Sequence, residues 1–221
     1  MRAEGPPATG STEAAAYADR YAVESPALVE TRARAMRLST PPMEPAAGAA
    51  LALLVATGGA RHVVSIGGGG IAGLWLLQGM RPDGVLTALD GDPEQLRSAR
   101  AAFADAGIPP GRTRLIFGTP GEVLPRLSPG AYDLVSCAGA PREYSAHLPT
   151  LLDLLHPGGV VSFHGLLAGG RIADRAIRDP QTVAWRELAR TIREDETLTS
   201  AVLPAGSGLL VATKRNEPTK R

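Results

Sequence analysis

Residues 63–73 read Val63-Val64-Ser65-Ile66-Gly67-Gly68-Gly69-Gly70-Ile71-Ala72-Gly73. They form an apolar strand pattern, a run of glycines and the opening of a helix. Glycine tolerates φ > 0 and lets the backbone approach a ligand with no Cβ in the way. The helix start behind it offers free N–H groups to polar or anionic parts of a ligand. The next apolar run, Val85–Asp90, ends in an acid. A carboxylate at that strand tip is placed to accept both hydroxyl protons of a ribose. Strand, turn, helix and acid in this order point to a nucleoside-containing cofactor at the C-terminal edge of a sheet.

Outward from this unit, short apolar runs alternate with segments of helix length. The runs are His62–Ile66, Val85–Asp90, Arg114–Phe117, Tyr132–Cys137 and Gly159–Phe163. The helical segments lie near 70–80, 92–107, 119–127 and 142–155, and a further helix is read over 176–194. Strands that are apolar along their length, spaced by helices, indicate a parallel sheet covered on both faces. Two more runs, Leu198–Leu203 and Gly208–Thr213, flank Pro204-Ala205-Gly206-Ser207 and should form an antiparallel hairpin. The expected architecture is α/β and Rossmann-like. It has seven strands, mostly parallel with an antiparallel last strand, and an N-terminal helical extension.

In domain terms, 1–12 reads as a disordered tail and 13–58 as the helical extension. Residues 59–214 are the cofactor-binding domain and 215–221 a short tail. The extension holds one or two helices over 13–37, broken near Ser25-Pro26, then a loop at Ser39-Thr40-Pro41-Pro42. A helix opened by Pro45 runs through Ala56.

Gly68-x-Gly70-x-x-Gly73 matches the dinucleotide pattern, a weak signal in a run of four glycines. The terminal hairpin and the lack of a second substrate domain favour S-adenosylmethionine, because a methyltransferase sheet of seven strands characteristically ends in an antiparallel strand.

Composition bounds the chemistry. The chain has 221 residues, 44% hydrophobic, with a formal net charge of +1. No basic field advertises nucleic acid or an anionic membrane. The longest early apolar run, Ala46–Ala56, is too short to span a bilayer. Residues 1–13 lack the apolar core of a signal peptide. Cys137 is the only cysteine, which excludes an intramolecular disulfide and fits the cytoplasm. The only lysines are Lys214 and Lys220, and the only asparagine is Asn216. No mechanism in residues 1–213 can use a Lys or an Asn.

Over roughly 14–214 the sequence resembles the cation-dependent O-methyltransferases related to catechol and caffeoyl-CoA O-methyltransferase, closest to an actinobacterial group. The resemblance is carried by Pro45-Ala46-Ala47-Gly48, by the Gly67–Gly73 turn with Leu74-Trp75-Leu76-Leu77, and by Gly79-Met80-Arg81-Pro82-Asp83-Gly84. It continues through Asp92-Pro93-Glu94, Gly121–Leu127, Tyr132–Val135, Leu155–Gly159 and Leu203–Leu209. It implies S-adenosylmethionine as methyl donor, a small-molecule hydroxyl as acceptor, and often a homodimer. Carried over by position, Gly67, Gly68 and Gly69 line the methionine end, Asp90 holds the ribose and Gly91 lies beside the adenine. Met43 stands where a small apolar residue of the family contacts the cofactor.

The departures bear on mechanism. The family has Glu where Ser65 stands, Ser where Ala72 stands, and Asp where Thr119 stands. Its magnesium is held by one Asp and an Asp-Asn pair through hard oxygens. These align with Ala138 and with His164-Gly165, and an assisting Lys aligns with Pro141. No metal of that kind is expected. His164 becomes the candidate catalytic group, since an imidazole titrates near neutrality and can take a hydroxyl proton; the alternative is a histidine that fills space at a strand end. Arg142, Glu143 and Tyr144 could reach the same cleft, or form a solvated helix start. Cys137 reads as a small buried hydrophobe, and Trp75 and Trp185 as helix packing. Arg186, Arg190 and Arg193 read as a solvated helix face. Two other functions stay open: a degenerate member that binds cofactor or a partner without catalysis, and an NAD-dependent oxidoreductase.

Overall fold

The computed structural model describes residues 9–37, 41–68 and 70–215. Positions 1–8 and 216–221, Leu38-Ser39-Thr40 and Gly69 lie outside the described residues. The helical extension comprises α1 (Thr9–Tyr21), α2 (Pro26–Arg37) and α3 (Pro45–Thr57). The alternating part follows as β1 (His62–Ile66), α4 (Ile71–Gly79), β2 (Val85–Asp90), α5 (Pro93–Asp105), β3 (Thr113–Phe117), α6 (Pro120–Val123), β4 (Tyr132–Cys137), α7 (Pro141–Leu154), β5 (Leu155–His164) and α8 (Pro180–Glu194). The hairpin of β6 (Leu198–Leu203) and β7 (Leu209–Lys214) completes it.

The seven strands lie in the order β3-β2-β1-β4-β5-β7-β6. β1 through β5 are parallel, and β7 inserts antiparallel between β5 and β6. Successive side chains of a strand point to opposite faces. Val63 and Leu134 therefore join the apolar cluster with Leu51, Trp75, Leu86 and Phe103 on one face. Val64 and Val135 join Leu151, Phe163, Trp185 and Leu188 on the other. Both faces are covered, which is why these strands lack polar alternation. The strand order reverses between β1 and β4, so the crevice at their C-terminal ends is where such a sheet takes a ligand.

The extension is fastened to this sheet through close backbone approach. A Cβ on Gly48 would lie 2.2 Å from the Trp75 ring, and one on Gly79 would lie 2.0 Å from the Ala52 carbonyl oxygen. α3 and α4 can therefore cross tightly only because both contact positions lack a side chain. Asp19 accepts the Ala46 N–H at 3.0 Å, and Arg34 pairs with Asp105 at 2.8 Å.

Several sequence expectations need correction. α1 begins at Thr9, inside the stretch read as a disordered tail, and its Asp19 bond to α3 helps hold it there. β5 begins at Leu155 rather than Gly159. Tyr132 pairs with Leu155 and Leu134 with Val160, so the strand absorbs 156–159 as a bulge. The helix read over 119–127 is a short α6 followed by a 3₁₀ turn, Leu124–Arg126. Pro125 removes the donor an α-helix would need there. The last helix starts at Pro180, not 176, because Asp179 caps it by accepting the Thr182 N–H.

Arg186 is not part of a solvated face. Its guanidinium donates to the carbonyl oxygens of Arg171, Ile172, Asp174 and Ile177, and so holds the 171–177 loop against α8.

Candidate active site

The crevice at the β1/β4 reversal is built from the glycine turn. Gly67 and Gly68 take φ of +73° and +85°. Gly70, at +100°, caps α4, and a Cβ there would lie 2.8 Å from the Ala99 Cα. The turn is thus restricted to glycine both by its handedness and by the closeness of α5. Gly67 donates its N–H to the Leu89 carbonyl at 3.0 Å, which brings the tips of β1 and β2 together.

Asp90 ends β2 beside this turn. One carboxylate oxygen accepts the Asp92 N–H at 2.9 Å. Burial foremost, and then the negative charges of Asp92 and Glu143, push its pKa up from the ordinary aspartate value. Gly67, Gly68, Asp90, Gly91, Glu143 and Tyr144 share the lining of one cleft of about 260 Å³. The donor-poor carboxylate and the Cβ-free floor fit a ribose and the chain attached to it. A larger hollow of about 610 Å³ lies against α8 and β6, lined by Arg175, Arg190 and Arg193, and shares no residue with this cleft.

Of Arg142, Glu143 and Tyr144, expected to reach the cleft or to form a solvated helix start, Arg142 and Glu143 are exposed at the start of α7. Tyr144 is instead buried at 1% exposure, its ring tilted over Phe163 at 5.7 Å. A Cβ on Gly139 would lie 2.5 Å from the Tyr144 hydroxyl, so the backbone after β4 presses on that group. Cys137 is buried, and burial pushes its thiol well above the usual range, which keeps it a neutral core residue. Met43 is buried at 4% in the apolar cluster that includes Ala72 and is not among the cleft-lining residues.

His164 ends β5, two strands from β1, and does not line the 260 Å³ cleft. It meets partners that sequence reasoning missed. Its Nε2 lies 2.8 Å from Glu44 Oε2 and 3.1 Å from Ser207 Oγ. Ser207 Oγ is 3.3 Å from the same Glu44 oxygen. Burial raises the Glu44 pKa, but hydrogen bonding and charge from His164 outweigh it and bring the value down to about 2. Glu44 sits 120 residues from His164 and 163 from Ser207, separations at which no local pattern signals contact. The only hint was placement, Glu44 next to Met43 and Ser207 within the Leu203–Leu209 match.

The positions that would carry the family's magnesium hold Ala138, Pro141, His164 and Gly165. Ala138 presents its Cβ to Gly68, 3.2 Å from where a Cβ there would be. Among the described residues no group of three or more His, Cys, Asp or Glu is placed to hold a metal ion. This donor set does not fit a hard-oxygen cation site.

A seven-stranded sheet with this order, a glycine turn after β1 and an acid at the tip of β2 define the class I methyltransferase fold. A sequence profile of the O-methyltransferase family matches residues 16–215. A probable O-methyltransferase of Mycobacterium tuberculosis is 46% identical over 200 residues, covering 90% of this chain and 89% of its own. The chain belongs to the O-methyltransferase family. A crystal structure of a Corynebacterium glutamicum protein superposes with a TM-score of 0.87 at 30% identity, covering 95% of this chain and 99% of its own. An O-methyltransferase of Streptomyces achromogenes involved in tomaymycin synthesis, solved in complex with S-adenosylmethionine, has the same fold. Its TM-score is 0.81 at 22% identity, with 93% of this chain and 96% of its own covered.

Proposed function

We propose that this protein is an S-adenosylmethionine-dependent O-methyltransferase that methylates a hydroxyl of a small molecule without a divalent metal, and that His164 accepts the hydroxyl proton. The observation that carries this reading is the Asp90 carboxylate, raised in pKa by burial and set beside the positive-φ turn of Gly67 and Gly68. The family membership supports the same cofactor. Gly67, Gly68 and Gly91 would approach it along the backbone, and Asp90 would accept from its ribose, while Met43 packs in the apolar cluster outside this cleft. Gly69 is assigned to the cofactor from its sequence position alone.

When bound, the cofactor supplies a methyl group on a sulfonium, and the acceptor oxygen takes that methyl while the electrons of the broken carbon–sulfur bond stay on sulfur. The protein's part is to orient the hydroxyl and to remove its proton. His164, at 14% side-chain exposure at the end of β5, two strands from β1, is the group this reading assigns to that proton.

Calorimetry with S-adenosylmethionine, its demethylated product and NAD tests the cofactor. Tight binding of NAD alone would sink the reading. Methyl transfer to a panel of phenols, with Mg²⁺ and with a chelator, tests the chemistry; activity abolished by the chelator would refute the metal-free part.

A second reading follows from Ala138, Pro141 and Gly165, where the family carries its metal and lysine chemistry. It is a member that binds cofactor without transferring methyl groups. Binding without turnover on any acceptor would favour it. The reading also includes a cytoplasmic homodimer, supported by the single cysteine and by Tyr17, Tyr21 and Val23, which are 65%, 79% and 84% exposed on and after α1. Light scattering in solution tests the dimer. Among the described residues no helix is long and apolar enough to cross a membrane.

A further inference from the structure

We propose that Glu44 and Ser207 are positioning residues that hold His164 as its Nε2–H tautomer, so that Nδ1 is the atom that receives the acceptor's proton. The inference rests on the reading of His164 as the base. It deepens that reading by naming the nitrogen and the residues that select it.

A neutral imidazole carries one N–H and one lone pair, and the hydrogen bond at one nitrogen decides the role of the other. Two oxygens crowd Nε2, from Glu44 at 2.8 Å and Ser207 at 3.1 Å. Glu44 Oε2 faces both Nε2 and the Ser207 hydroxyl, and the hydrogen bond from the ring holds its carboxyl in the ionised form, so it has no proton to give. A lone pair on Nε2 would face that anion at hydrogen-bond distance with nothing between them. A proton on Nε2 makes the contact a charge-assisted hydrogen bond. The Ser207 hydroxyl then donates to Glu44 Oε2 at 3.3 Å, so every proton in the cluster has an acceptor. Nδ1 keeps its lone pair, and no described residue bonds to it.

The cluster is built rather than incidental. Its members come from three separate segments: the residue before α3, the end of β5 and the β6–β7 turn. Gly206 takes φ of +55°, and a Cβ there would lie 2.4 Å from Glu44 Oε2. Only a glycine lets the turn close on the carboxylate. The next segment is fixed to the same turn, since Gly165 and Leu167 donate their N–H groups to the carbonyls of Gly208 and Ser207 at 2.8 and 2.9 Å.

The proton ledger closes without a metal. The acceptor's O–H bond breaks as its oxygen bonds to the methyl carbon. The proton goes to Nδ1, and the resulting imidazolium keeps Nε2–H on Glu44. The carboxylate offsets the charge that appears on the ring. Solvent removes the proton from Nδ1 after release.

The test begins with the full-length protein labelled with ¹⁵N-histidine. Long-range proton–nitrogen correlation on the neutral ring, reached by raising the pH until one proton has left, is expected to show His164 with hydrogen on Nε2 and none on Nδ1. A neutral ring with hydrogen on Nδ1 overturns the proposal whether or not an acceptor is known.

Glu44→Ala is expected to release the tautomer and lower kcat about a hundredfold, the scale of a lost general base. KM for the acceptor and the cofactor affinity should stay at the wild-type values, because Glu44 does not line the cofactor cleft. Glu44→Gln keeps an acceptor but loses the charge that offsets the imidazolium, and is expected to restore the Nε2–H tautomer and only part of kcat. Unchanged kcat in Glu44→Ala alongside a large loss in His164→Ala overturns the positioning role and leaves the base standing. Unchanged kcat in His164→Ala overturns the base itself, and the Nδ1 assignment with it.

Discussion

The substitution Asp90→Asn separates binding from stability at the proposed cofactor cleft. In the native chain one carboxylate oxygen is already committed to the Asp92 N–H at 2.9 Å. The amide oxygen of the introduced asparagine would keep that bond. Its NH₂ would then take the place of the second oxygen, and a donor would face the ribose hydroxyl that needs an acceptor. A hydrogen bond to a charged group is worth about 1.5–3 kcal/mol, and a mismatched donor adds to its loss. The expected cost is about 2–3 kcal/mol, or about 30- to 150-fold in affinity for S-adenosylmethionine and its demethylated product.

Stability should move the other way. Burial, Asp92 and Glu143 raise the Asp90 pKa, so its ionised form costs stability at every pH above the ordinary aspartate range. An asparagine side chain carries no such cost, and the unliganded variant should melt no lower than the wild type. The wild-type affinity should also fall as pH drops through the raised Asp90 value, and this fall should vanish in the variant. Calorimetry and thermal melts on the same preparations read both effects. A variant that binds within about threefold of the wild type, or one that melts lower, would refute the reasoning.

Other expectations follow from packing and titration. Gly48→Ala puts a Cβ 2.2 Å from the Trp75 ring and should cost about 1–3 kcal/mol in denaturant unfolding. Arg186→Met leaves four loop carbonyls without their donor, and hydrogen exchange across 171–177 should speed up before that of α8 does. His156 Nδ1 faces the Pro157 carbonyl at 2.7 Å and Nε2 faces Asp133 at 3.0 Å, so only the cation satisfies both. The Pro157 carbonyl first, then Asp133, raise its pKa above 6.5. Its contribution to stability is full below that value and is lost as pH rises through the folded one, so His156→Ala should flatten the alkaline side of the melting profile. Glu44, lowered from 4.5 to about 2, contributes stability that is lost as pH falls through that interval, and Glu44→Gln should flatten the acid side.

Much of this was legible in the sequence because it is local. Val63–Gly73 with Asp90 specified the strand, the turn and the acid, and the structure brings Gly67, Gly68, Asp90 and Gly91 to one cleft. Cys137, Trp75 and Trp185 are buried as their sequence contexts implied. Arg186 was misread because a helical wheel cannot show a loop folding back over its polar side. The start of β5 was misread because Pro157-Gly158 carries the chemistry of a turn, and only its pairing with β4 reveals a bulge. Glu44 and Ser207 were illegible for a topological reason. Their contact depends on the β6–β7 turn reaching back over the edge of β5 to the residue before α3.

That arrangement sets an order in time. The residues lining the proposed cofactor cleft all fall within 66–144, so a nascent chain carries them before it reaches the β6–β7 turn. The His164 cluster needs Glu44, made before the cleft, and Ser207, made after it. During synthesis His164 therefore emerges while it still lacks the turn that closes on it. The β6–β7 hairpin acts as a completion step, closing on Glu44 at the group proposed to do the chemistry.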